Sequence, residues 1–250
     1  MTAVRPDFTI EQNWQGYSGE EHAIWRLLFE RQQRLLLARA CREYLEGLSG
    51  LGVAADGIPD FRRLSDILNR ATGWRIVAVP GLVPDDVFFA HLARRQFPST
   101  CFVRRRDQLD YLQEPDVFHD ICGHVPLLMN PVFADYMQAY GEGGSKALGL
   151  GHLQRLARLY WYTVEFGLIA TESGPAHLWV RHSVLGRRVD LLSRKSPTSA
   201  AAVRYAPHHA NPIPYRRLPA ALFRYRRFPR IVRCHQSGFC ADLPRNRRPA

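Results

Sequence analysis

The chain has 250 residues, 46% of them hydrophobic, enough to bury one substantial core. No apolar run approaches the roughly 20 residues that span a bilayer, and the opening MTAVRPDFTIEQ lacks the apolar centre of a signal peptide, so a cytoplasmic protein without a membrane partner is expected. The net charge of +11 would suggest nucleic acid, but it sits at one end: residues 173–250 hold 16 Lys and Arg against two acids, whereas residues 1–172 hold 18 against 21.

Five scattered cysteines without a CxxC pair exclude a disulfide framework and a thiolate zinc site as the organising feature. From Ser18, SGEEHAIWRLLFERQQRLLLARACREYLEGL predicts one long amphipathic helix with acids in its first turn and an end near Gly50. DFRRLSDILNRATG predicts a short helix stopping at Gly73, and WRIVAVPGLVP a short strand running into a Pro/Gly loop. PDDVFFAHLARRQFP returns to helical period, and STCFVRR predicts a second strand. The fold class is therefore mainly α with a few short strands (α+β), in a single domain without internal repeats.

The stretch EPDVFHDICGHVP sets His119 and His124 five apart. On an ideal helix these positions lie about 140° apart, too far to share a metal ion. Gly123 and Pro126 disfavour continued helix, so the chain can turn there and bring the second imidazole inward. In LARLYWYTVEFGLIAT, Glu165 is the only charged side chain from Leu159 to Thr171. A carboxylate among apolar residues needs compensation, from an arginine such as Arg155 or Arg158 or from a metal ion. Two imidazoles and one carboxylate are the facial ligand set of non-heme Fe(II) oxygenases.

GLVPDDVFFAHLARRQFPSTCFVR, LDYLQEPDVFHDICGHVPLLMNPVFADYMQAYG and LYWYTVEFGLI together resemble the pterin-dependent aromatic amino acid hydroxylases, and among them the short bacterial phenylalanine-hydroxylating group. The resemblance runs from about residue 7 to residue 169. It implies a single catalytic domain holding Fe(2+) on His119, His124 and Glu165, with tetrahydropterin (tetrahydrobiopterin) as second cofactor. It implies that L-phenylalanine is hydroxylated to L-tyrosine with O2; separately, a monomer is expected. At matching motif positions, Gly81, Leu82, Val83 and Phe88 are expected to hold the pterin. Arg104 is expected to hold the substrate carboxylate, with Pro115, Trp161 and Phe166 lining its ring.

The resemblance ends where the composition changes. The family continues FGLI with a segment of the type GLRIYG, whereas this chain reads ATESGPAHLWVRHS. GPAHLWVRHS can be encoded so that a frame one nucleotide later gives Gly-Leu-Arg-Ile-Tyr-Gly-Ser-Gly-Ile. The same offset restores family-like sequence in VLGRRVDLL and in HHANPIPYRRLPAALFRYRRF. We therefore read 7–172 as the catalytic iron-binding domain, incomplete at its C-terminal side. Residues 173–250 are read as an out-of-frame, irregular and disordered basic tail, so the chain as written is expected to have low stability and little activity. On that reading the arginine–aromatic mixture of the tail does not signal a nucleic-acid partner, and His208, His209, Cys234, His235 and Cys240 fit no standard zinc spacing.

Overall fold

The computed structural model describes residues 3–36, 40–165, 168–171, 174–177 and 224–225. Seven helices carry the body of the molecule: α1 (Gly19–Leu36), α2 (Arg42–Gly50), α3 (Phe61–Thr72), α4 (Asp85–Ala93), α5 (Val117–Gly123), α6 (Pro131–Gly149) and α7 (Leu153–Tyr160). Strands β1 (Arg75–Val79) and β2 (Gln96–Thr100) pair in parallel, with α4 as the crossover between them. Each helix turns one face inward, and Trp25, Leu28, Tyr44, Leu64, Leu68, Trp74, Phe89 and Leu92 meet in one core.

Local signals explain most of the boundaries. The Ser18 hydroxyl accepts from the Glu21 amide, and the Glu21 carboxylate accepts from the Ser18 amide, a reciprocal capping box that starts α1. Asp60 caps α3 by accepting from the Arg62 amide, and Gly73 ends it at φ 74°, a left-handed conformation that glycine adopts without a Cβ penalty.

Two expectations need correction. The long helix expected from Ser18 to Gly50 is two helices, α1 and α2, and Cys41 before α2 is extended. Nothing in LARAC breaks a helix; the break lets α2 lie on the turn after α5. The contact is close enough that a Cβ on Gly47 would sit 1.9 Å from the Pro126 carbonyl oxygen. The second strand begins at Gln96 and ends at Thr100, earlier than STCFVRR suggested. Pro98 lies inside it, opposite Val77, and is tolerated because this two-stranded sheet has only edge strands.

Strand β3 (Leu168–Thr171) pairs antiparallel with β4 (Gly174–His177) and parallel with β5 (Arg224–Tyr225). Residues 174–177 and 224–225 are thus strand where an irregular tail was expected. The expectation for the rest of 173–250, including its histidine and cysteine group, lies outside the described residues. Among the described residues no helix is long and apolar enough to cross a membrane.

Candidate metal centre

Helix α5 places the first imidazole. Asp116 is its N-cap: its Oδ1 accepts the His119 amide at 3.0 Å, and the helix then runs to Gly123. The His124 amide makes the closing bond to the Asp120 carbonyl, after which Pro126 opens a 3-10 turn at Val125–Met129. The helix therefore ends at the glycine, and His124 leaves its axis. Its Nε2 comes within 3.3 Å of His119 Nε2, which an uninterrupted helix would forbid.

Glu165 arrives from the opposite side. Helix α7 passes into one turn of π-helix, Trp161–Glu165, and that wider turn carries the carboxylate to the two imidazoles. Glu165 Oε1 lies 2.9 Å from His124 Nε2 and Oε2 lies 3.7 Å from His119 Nε2. One donor atom from each of the three lies within 4.8 Å of the others, the one such cluster of His, Cys, Asp and Glu among the described residues. Arg155 and Arg158 are exposed, so the histidines and not an arginine face the carboxylate.

The electrostatics fit a cation. Burial raises the cost of ionising Glu165, but electrostatic interaction with the neighbouring His124 and His119 outweighs it and holds the carboxyl well below its ordinary value. Oε2 is buried with no hydrogen-bond partner. A carboxylate oxygen without a hydrogen-bond partner beside two imidazole nitrogens is a donor set that suits a divalent ion.

The triad sits on the wall of a cavity of about 300 Å³, also lined by Gly81, Leu82, Val83, Phe88, Pro115 and Trp161. The candidate pterin residues and two of the three candidate ring-lining residues therefore share one space with the metal ligands. Phe166 lies outside the described residues. Arg104 does not line this cavity. It is buried, and its Nε and Nη2 each donate to Asp116 at 2.8 Å, while Arg105 and Arg106 are exposed on surface ion pairs. Its Nη1 is buried without a partner, a donor group left over after the ion pair is made.

Sequence reasoning missed three polar residues here. Asp116 ties Arg104 to the amide of His119; a capping aspartate three residues before a histidine was a legible signal. Asp120 lines the cavity, and burial pushes its carboxyl above the ordinary value against the opposing influence of His119 and the Thr100 amide. Thr100 holds that carboxylate, and neither residue carries a signal in the sequence.

The biopterin-dependent aromatic amino acid hydroxylase family matches residues 12–180. A phenylalanine-4-hydroxylase of Ralstonia nicotianae is 67% identical over 171 residues, 68% of this chain and 55% of that protein. The phenylalanine hydroxylase of Chromobacterium violaceum with bound iron(III) and oxidized cofactor 7,8-dihydrobiopterin superposes with a TM-score of 0.69 at 61% identity, over 71% of this chain and 65% of that one. Its iron- and phenylalanine-bound form gives 0.67 at 57% identity, over 72% and 65%. The chain thus spans little more than half the length of the curated relative.

Proposed function

Because this chain belongs to the biopterin-dependent aromatic amino acid hydroxylase family, we propose that it converts L-phenylalanine to L-tyrosine with O2, acting as a cytoplasmic monomer. One observation carries the reading: His119, His124 and Glu165 present three donor atoms on the wall of the cavity that Gly81–Val83, Phe88, Pro115 and Trp161 line. The bacterial relatives that match at 47–67% identity are phenylalanine-4-hydroxylases, whereas a tyrosine 3-monooxygenase matches at 38%, and the Chromobacterium violaceum enzyme has been crystallised with iron and dihydrobiopterin and with iron and phenylalanine.

His119, His124 and Glu165 would hold Fe(II), leaving further coordination positions free. With tetrahydropterin bound as well, the pair would supply the electrons that reduce O2 for ring hydroxylation. The protein's part is orientation and exclusion of water. Gly81, Leu82 and Val83 offer backbone to the pterin edge, and Phe88 offers it a ring face. Pro115 and Trp161 flank the substrate ring, whereas Arg104, expected at the substrate carboxylate, is held on Asp116 outside the cavity lining and would reach a carboxylate only through its remaining Nη1 and a local shift.

Anaerobic Fe(II) titration tests the metal site: His119→Ala and His124→Ala should each abolish tight binding, and retention of tightly bound iron in both would overturn the assignment. Tetrahydropterin-dependent tyrosine formation by the purified chain tests the reaction.

A second reading concerns residues 173–250, where the composition turns basic; the family match ends at residue 180. We propose that residues 7–172 are the catalytic domain and that the rest is an out-of-frame translation, leaving a chain with an iron site but an incompletely closed pocket. Resequencing the gene and sequencing peptides from the tail decide this; an uninterrupted frame with confirmed tail peptides removes it.

A further inference from the structure

Thr100 is buried at the end of β2 and lines the cavity, and beyond its bond to Asp120 the proposed function does not use it. Strand register sets it opposite Val79, two residues before the Gly81–Val83 loop. Its amide donates to Asp120 Oδ2 at 2.8 Å, and its hydroxyl lies 3.1 Å from both the same Oδ2 and the Pro115 carbonyl oxygen. Strand pairing therefore ties the Thr100 backbone to the strand that leads into the proposed pterin loop, and the Thr100 hydroxyl ties the same residue to the wall of the proposed amino-acid pocket.

The two links differ in how they are made. A hydroxyl has one hydrogen and can donate to only one acceptor at a time. Asp120 keeps the Thr100 amide as a donor if the hydroxyl is removed, whereas Thr100 reaches Pro115 through the hydroxyl alone. Threonine to valine preserves shape and deletes that single connection.

Resting on the proposed function, we infer that Thr100 is a positioning residue whose hydroxyl couples the two halves of the cavity, so that pterin on one side tightens phenylalanine binding on the other. Such coupling is reciprocal: each ligand alters the affinity of the other by the same factor. A buried hydrogen bond contributes about 1 kcal/mol, which corresponds to roughly a fivefold change in affinity.

The test is calorimetric titration of the iron(II)-loaded chain under argon with L-phenylalanine, with and without saturating 7,8-dihydrobiopterin. The unaltered chain and Thr100→Ser should show phenylalanine affinity rising several-fold with pterin, and Thr100→Val should show a ratio near one. Thr100→Ala is the second hydroxyl-free variant should valine fail to fold. A purely structural role would lower the thermal midpoint of Thr100→Val and leave the ratio unchanged, and that result overturns the inference. Binding of both ligands to the unaltered chain without coupling also overturns it, while leaving the proposed function intact. Failure of the unaltered chain to bind either ligand removes the functional reading and this inference together.

Discussion

At the scale of single residues, the most heavily used side chain is Asp116. One fully buried carboxylate accepts from the Arg104 amide, Nε and Nη2 and from the His119 amide, so it neutralises a buried guanidinium and caps the helix that carries a metal ligand. Burial alone would raise its pKa, but the Arg104 hydrogen bond and charge, with the His119 amide, hold it below 3.8. The folded value is depressed, so the stability it contributes is complete above pH 3.8 and is lost as pH falls through the folded value. Asp116→Asn should therefore flatten the acid limb of the stability–pH curve below about pH 4. At neutral pH it should cost about 3–5 kcal/mol in denaturant titrations, since it strands a buried cation. An unchanged acid limb would show that the carboxylate is not the group titrating there. His119, His124 and Glu165 were legible because their chemistry resides in residue type and in the Gly123 and Pro126 breakers. The Arg104–Asp116 pair was not, because a loop brings together residues whose partnership leaves no trace in local pattern.

At the scale of elements, the site depends on how closely helices approach one another. Helix α6 crosses α4 through Gly141 and Gly144; a Cβ on Gly144 would lie 2.3 Å from Phe89 Cβ, and one on Gly141 would lie 2.1 Å from the Ala93 amide nitrogen. That crossing fixes α4 and with it Phe88 on the cavity wall. Gly143 on the same helix is different, since a Cβ there would meet only Leu156 Cδ2 at an ordinary 3.7 Å. Two neighbouring substitutions should thus have opposite signs. Gly143→Ala should gain about 0.5–1 kcal/mol from helix propensity, and Gly144→Ala should lose about 1–3 kcal/mol from overpacking. Paired thermal melts check this, and equal shifts in the two variants would mean that α6 can slide away from α4. The same reasoning applies where α2 meets Pro126: Gly47→Ala should displace the turn after His124 and weaken iron binding as well as stability. Periodicity located α4 and the stretch that holds α2 but not their contacts, and no expectation covered α6. Glycines in YGEGG read as weak helix formers, and only the packed structure shows two of them to be contact points and one to be free.

At the scale of the whole molecule, the chain divides chemically near residue 172, with the metal ligands on one side and the basic stretch on the other. All three ligands, the arginine–aspartate pair and the cavity residues belong to 79–165. Metal binding therefore draws on a part of the sequence that matches the family, whereas, on the proposed out-of-frame reading, closure of the amino-acid pocket would draw on segments that the altered frame replaces. The two functions should separate experimentally. A version carrying the one-nucleotide correction after residue 172 should bind Fe(II) with affinity similar to that of the present chain, because its ligands and their supports are unchanged. Its turnover should rise by about 100-fold, the scale on which small misplacements of a substrate slow an oriented reaction. Its formal charge should also fall, since the shifted codons restore acids where the present frame writes arginine and proline. Parallel iron titrations and tyrosine-formation rates on the two proteins measure the split. Equal turnover would mean that residues 173–250 already complete the pocket, and a large difference in iron affinity would mean that the centre leans on residues beyond Glu165.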